Sequence, residues 1–181
     1  MTRSVFAAFV VAFFGFIGGC ANYDWGTPVP AEYRTVAVPV FENTTEISEL
    51  GPMVSQYVLR EFQREGTFKI ARAGDAAVEV QGVIAKFTRF GMAYDREMGS
   101  RVSEYSYTVT ADVTFVDKKR GKILRECRGL QAETTFLTQD DLLTGQKNAA
   151  ARIAGDFARQ IVNEALAIRY PSAGAVEGVQ K

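Results

Sequence analysis

The sequence predicts an α+β domain: a two-layer sandwich in which a four-stranded mixed sheet carries two helices on one face, in the order β-α-β-β-β-α. Three patterns predict it. Between Val102 and Asp117, Tyr105, Tyr107, Val109, Ala111, Val113 and Phe115 alternate with Glu104, Ser106, Thr108, Thr110, Asp112 and Thr114, the signature of a long strand with one buried and one polar face. Val54, Tyr57, Val58 and Phe62 recur at helical spacing, extended by Leu50 and Met53. Near the C-terminus, Ala150, Ile153, Ala154, Phe157, Ile161, Ala165 and Ile168 draw a second, longer helical stripe.

In chain order, Tyr33 to Phe41 is rich in valine and aromatic residues, as a strand should be. Pro39 cannot donate to a ladder, so the strand ends there, bulges there or lies at an edge. Glu42-Asn43-Thr44-Thr45 is turn chemistry. The first helix runs from Pro52 to Glu65, with proline in its first turn and Gly66 just past its end. Phe68 to Ala71 continues extended and Ala73-Gly74-Asp75 turns. Ala77 to Arg89 is the second strand, with Val78, Val80 and Ile84 on one face and Gly82 marking a bulge or a close backbone approach. Phe90 to Arg101, with Gly91, Gly99 and mixed charge, reads as a loop. After the alternating third strand, Lys118-Lys119-Arg120-Gly121 is a hairpin tip, and Lys122 to about Phe136 pairs back as the fourth, its alternation failing after Arg125. Gln146 to Arg169 is the last helix, stopped by Pro171. The first strand, its crossover helix and the second strand form a parallel pair, and the last three strands an antiparallel meander.

The two ends of the chain stand outside this domain of residues 33–170. Arg3 precedes an unbroken apolar and glycine run from Val5 to Ile17, about 20 Å of helix and too short to span a bilayer core. It fits the apolar region of a signal peptide, residues 1–19. Ile17-Gly18-Gly19-Cys20 resembles a bacterial lipobox, in which the cysteine is lipidated and becomes the mature N-terminus. Residues 20–32 then form a tether, with Gly26, Pro28 and Pro30. Its Tyr23 and Trp25 either rest at a membrane interface or pack on the domain. Residues 171–181 have the small, polar composition of a disordered tail.

Composition narrows the function. There are 21 basic and 21 acidic residues and no histidine. A balanced charge argues against a nucleic-acid binder, which needs a basic excess to displace phosphate counterions. Without histidine, Ser-His and Cys-His nucleophile pairs and most zinc sites are excluded, and no cofactor or metal motif is present. Asp140-Asp141, at the start of the last helical region, complements the helix dipole. Cys127, the remaining thiol, is either buried as a small hydrophobe or open to intermolecular pairing. Lys118, Lys119, Arg120 and Lys122 cluster at the hairpin tip, either as a solvated turn or as a surface for an anionic partner such as lipid phosphate.

Taken with the lipobox and the order of elements, several strings resemble one family. They are Val36-Ala37-Val38-Pro39-Val40-Phe41-Glu42-Asn43, the helix ending in Arg60-Glu61-Phe62 with Gly66, Glu104-Tyr105, and Phe115-Val116-Asp117-Lys118 through Gly121-Lys122. The family is that of the lipopolysaccharide-assembly lipoprotein LptE, and the resemblance covers about residues 20–170. It implies a non-enzymatic outer-membrane lipoprotein that plugs the lumen of the large β-barrel LptD, assists that barrel's assembly and takes part in lipopolysaccharide transport. It also implies membrane attachment through acylated Cys20 and glycolipid contact by basic residues between the second and third strands, here Arg96 and Arg101. The family's other basic position, after the fourth strand, falls in Phe136 to Asp141, which holds no lysine or arginine. A different class fits the same N-terminal pattern: a secretion accessory or pore-forming lipoprotein of the curli-assembly type, built as a ring of identical copies.

Overall fold

Steric alternation turns the clearest sequence pattern into the centre of the molecule. The computed structural model describes residues 29–95, 101–137 and 142–171. A single 3-10 turn, Ala31–Tyr33, leads into β1 (Thr35–Ala37) and β2 (Glu42–Asn43). Helix α1 (Leu50–Glu65) and β3 (Lys69–Ile70) follow. Three long strands come next, β4 (Val78–Asp95), β5 (Arg101–Asp117) and β6 (Lys122–Leu137), and helix α2 (Leu142–Leu166) closes the fold. Cys20, Arg96, Asp140-Asp141 and the expected tail at 172–181 lie outside the described residues.

The class is α+β with a mixed, open sheet, as expected, but the sheet has six strands rather than four. The order is β3-β1-β4-β5-β6, with β2 also paired to β4. Both added strands come from segments whose pairing is only two residues long. Val36 stands opposite Ile70 of β3 on one side and Val78 of β4 on the other, both in parallel. The first predicted strand is interrupted where Pro39 interrupts the ladder: pairing stops at Ala37, and the chain rejoins β4 at Glu42, within the segment expected to turn. Between the two, the Phe41 amide donates to Ser55 Oγ at 2.8 Å, so it is satisfied by α1 instead of the sheet. The Phe41 ring lies against Gly82, where an added Cβ would sit 2.2 Å from it. Gly82 therefore marks a close approach, and the β4 bulge falls two residues later, between Ile84 and Lys86.

Phe90 to Arg101 is not a loop over most of its length. Strand β4 continues to Asp95 and β5 starts at Arg101, with register shifts at Gly91, Ala93 and Tyr94. The long partner strand supplies a ladder that overrides the local glycine and mixed charge. Alternation fails in β6 because two bulges reverse its faces. Leu124 is extra between Ile123 and Arg125, and the two residues Arg128-Gly129 stand against the single Asp112 of β5, with Gly129 at φ 67°. Helix α2 starts four residues before the expected Gln146 and ends three before Arg169. It stops early because Tyr170 turns back, its hydroxyl donating to the Ala165 carbonyl at 2.9 Å and its ring 5.0 Å from that of Tyr33.

Both helices cover the same side of the sheet. Val54, Val58 and Phe62 of α1 and Ile153, Phe157 and Ile161 of α2 are buried against Val80, Ile84, Val109, Val113 and Phe115. The opposite side carries the Ser/Thr/Asp/Glu row of β5. It is not purely polar: Phe90 and Leu137, which pair with Ser106 and Glu104 of that row, and Ile123, which pairs with Val116 at its end, stand 66%, 58% and 63% exposed. No helix among the described residues is long and apolar enough to cross a membrane.

Candidate functional site

The basic hairpin tip is held from below by a buried carboxylate. Asp117 ends β5 on the core side, 2% exposed. Its Oδ1 accepts the amides of Lys119 and Arg120 at 2.9 and 3.0 Å, and its Oδ2 accepts the Tyr33 hydroxyl at 3.0 Å. Burial pushes the Asp117 carboxyl up, but the hydrogen bonds from the Arg120 amide, Tyr33, the Arg120 guanidinium and Lys119 outweigh it and hold it below the usual carboxylate range. Burial and the same carboxylate raise the Tyr33 hydroxyl. The Arg120 guanidinium also pairs with Asp117 and donates to the Tyr33 oxygen. Lys118 pairs with Glu79 at 2.7 Å, and that bond, aided by Gln81, holds the Glu79 carboxyl low. All four tip residues are exposed, and Lys118 and Arg120 are at the same time engaged by carboxylates of the fold.

Arg101 opens β5 and the tip follows its end. Seventeen residues of strand separate them, about 55 Å at 3.3 Å per residue. The start of β5 at Arg101 and the basic tip therefore lie at opposite ends of the sheet. The described chain begins at the tip end, where the Val29 carbonyl accepts from Arg34 Nε at 3.0 Å.

Along the outer face, part of the polar row satisfies itself. Ser106 donates to Glu133 at 2.7 Å and Asp112 accepts the Gly129 amide at 2.7 Å, closing the bulge. The open edge of β6 is guarded from α2: Arg152 donates to the Thr135 carbonyl at 2.8 Å and Gln160 to the Gln131 carbonyl at 3.0 Å. With the Gly129 bulge, these bonds make β6 a poor template for a further strand. Cys127 is half-buried opposite Val113, its Sγ 3.7 Å from Glu164, and burial pushes its thiol up. A thiol in that state is a packing residue, not a reactive one. No group of three metal-ligating side chains occurs among the described residues.

Sequence reasoning missed a cleft of about 450 Å³ between the two helices and the core side of β4 and β5. Leu50, Met53, Phe87, Val109 and Ile153 form its apolar walls, with Arg89 and Lys147 among the charged residues at its rim. Tyr107 lies in it, 2% exposed, and its hydroxyl is the one buried side-chain polar atom without a hydrogen-bond partner among the described residues. The alternation places Tyr107 on the inner face; nothing in the sequence marks its hydroxyl as unpaired.

Comparison with known proteins bears on this architecture as a whole. A sequence-family model described as lipopolysaccharide-assembly, LptE, matches residues 33–165. No curated protein sequence matches the chain. Among solved structures, the chain is similar to a Xanthomonas campestris protein at 10% identity and a TM-score of 0.51, covering 77% of this chain and 90% of that one. It is also similar to the rare lipoprotein B of Shewanella oneidensis, at 14% identity and a TM-score of 0.48, over 74% and 94% of the two chains. An uncharacterized lipoprotein B of Nitrosomonas europaea gives 16% identity and a TM-score of 0.49, over 79% and 88%.

Proposed function

The chain belongs to the LptE lipopolysaccharide-assembly family, and from that premise we propose that it is a lipid-anchored, non-enzymatic plug of an outer-membrane β-barrel, LptD, through which lipopolysaccharide reaches the cell surface. The observation that carries this reading is the sheet. Its outer face presents the hydroxyl- and carboxylate-bearing row of β5, which suits the polar lumen of a wide barrel. Phe90 and Leu137 on the same face supply apolar contact at its far end.

The layout gives each part a task. Acylated Cys20 holds the chain at the inner leaflet of the outer membrane, three acyl chains giving a stable anchor where one would not. From there β4 and β5 extend about 55 Å, longer than the roughly 25 Å apolar band of such barrels, and carry Arg96 and Arg101 towards the distal mouth. There their guanidinium groups meet glycolipid phosphates, for which a planar, forked cation is well matched. Lys118 and Arg120 brace the other end.

Purification of the lipidated protein from outer membranes tests the reading. A large barrel protein recovered in equal amount supports it; recovery of soluble partners alone, or of further copies of the same chain, contradicts it. Replacing Cys20 with serine abolishes palmitate incorporation if the anchor is as described, and unchanged labelling refutes it.

A further inference from the structure

We propose that the cleft between α1, α2 and the inner face of β4 and β5 binds a single acyl chain whose carbonyl oxygen accepts a hydrogen bond from Tyr107. This site is separate from the outer sheet face, and it stands or falls independently of the barrel reading. Its volume, about 450 Å³, lies in the range of small-molecule pockets and holds one chain rather than the several of a glycolipid.

The strand register sets a polarity gradient along it. Arg89 of β4 stands directly opposite Tyr107 of β5, and the next inward pair is Phe87 opposite Val109. Beyond them the helices contribute Leu50 and Ile153, both about 1% exposed. An amphiphile entering past Arg89 meets a cation at the mouth, a hydroxyl donor one step in, and only hydrocarbon after that. Arg89 has no ion-pair partner among the described residues; its guanidinium lies 5.7 Å from the Tyr105 ring. Tyr107 is wedged edge-to-face between Phe87 and Phe136, with ring centroids 4.9 and 4.7 Å away. That packing fixes the ring, while its hydroxyl has no acceptor within the fold. A buried donor left unpaired carries a standing cost that a ligand oxygen removes. Glu46 and Glu49 balance Arg89 and Lys147 around the rim, so either an anionic or a zwitterionic head is compatible with the mouth.

Photolabelling of the full, lipid-anchored protein tests this. The probes are a diazirine-bearing laurate and the corresponding lauroyl lysophosphatidylcholine, followed by peptide mapping. Labelling by either probe is expected in the peptides carrying Met53, Phe87 or Ala150, saturable and competed by unlabelled laurate. The probe that labels identifies the head the mouth accepts. Ala150→Trp, or Met53→Trp from the facing helix, should abolish it, and Tyr107→Phe should weaken it by about fivefold, the value of a lost buried hydrogen bond. Thermal unfolding of each variant establishes that it is folded. Labelling that is not competed, that survives both tryptophan variants, or that Tyr107→Phe leaves unchanged would overturn the assignment.

Discussion

The Tyr33 hydroxyl donates to the Asp117 carboxylate at 3.0 Å across 84 positions of chain. This one bond ties the 3-10 turn before β1 to the end of the central strand, and through the contact of the Tyr33 and Tyr170 rings it also reaches the residues after α2. Replacing Asp117 with alanine leaves the buried Tyr33 hydroxyl without its acceptor and frees two part-buried backbone amides at the tip. The expected loss is about 2–3 kcal/mol in urea unfolding; a change near zero would show the cluster to be dispensable.

The same cluster fixes a pH dependence. Asp117 and Glu79 are both held below their unfolded values, near 3.9 and 4.3. Their contribution is therefore present above about pH 4 and lost as pH falls through the depressed folded values. Tyr33 and Tyr170 are raised, burial being the first cause for each, so their contribution is lost as pH climbs above about 10. Unfolding free energy measured against pH should be flat near neutrality and fall at both extremes, with part of the acid limb missing in Asp117→Asn.

Gly82 and Phe41 should behave as one unit. A Cβ at position 82 would lie 2.2 Å from the Phe41 ring, which is itself 3% exposed. Gly82→Ala is expected to cost about 1–3 kcal/mol as an overpacking change. In the Phe41→Leu background the added cost should shrink, which a double-mutant cycle measures directly.

Much of this was legible in advance. Period-two alternation revealed β5 and its buried face, because a half-buried strand imposes that period whatever its neighbours do. Both helical stripes appeared for the corresponding reason, and Pro39 announced a break in the first strand. What could not be read were features set by partners far away in sequence. The ladder that keeps Phe90 to Asp95 extended comes from β5. The bulges at Leu124 and Gly129 reverse β6 and so erase its alternation. Two-residue strands such as β2 and β3 are too short to carry any period. At the basic tip, sequence showed the charges but not their engagement: Lys118 and Arg120 become structural only when Glu79 and Asp117 are brought beside them.

Tyr107→Phe removes a hydroxyl that has no partner in the protein. In the ligand-free protein this variant should be as stable as the parent or more stable by up to about 1 kcal/mol, read as a raised Tm. A clear destabilisation would show that the hydroxyl is satisfied in the fold.

At the distal end, Arg96→Glu together with Arg101→Glu should weaken binding of lipopolysaccharide, with a salt dependence that flattens as the cations are lost. Reversing Lys119 and Lys122 at the opposite end should leave that binding in place. Equal effects from both ends would mean a general charge attraction instead of a site.

Photo-crosslinking in intact cells from Thr110, midway along the outer face of β5, decides whether that face meets a barrel wall. A single adduct with a large outer-membrane barrel protein is expected. Adducts formed only between copies of this chain would contradict it.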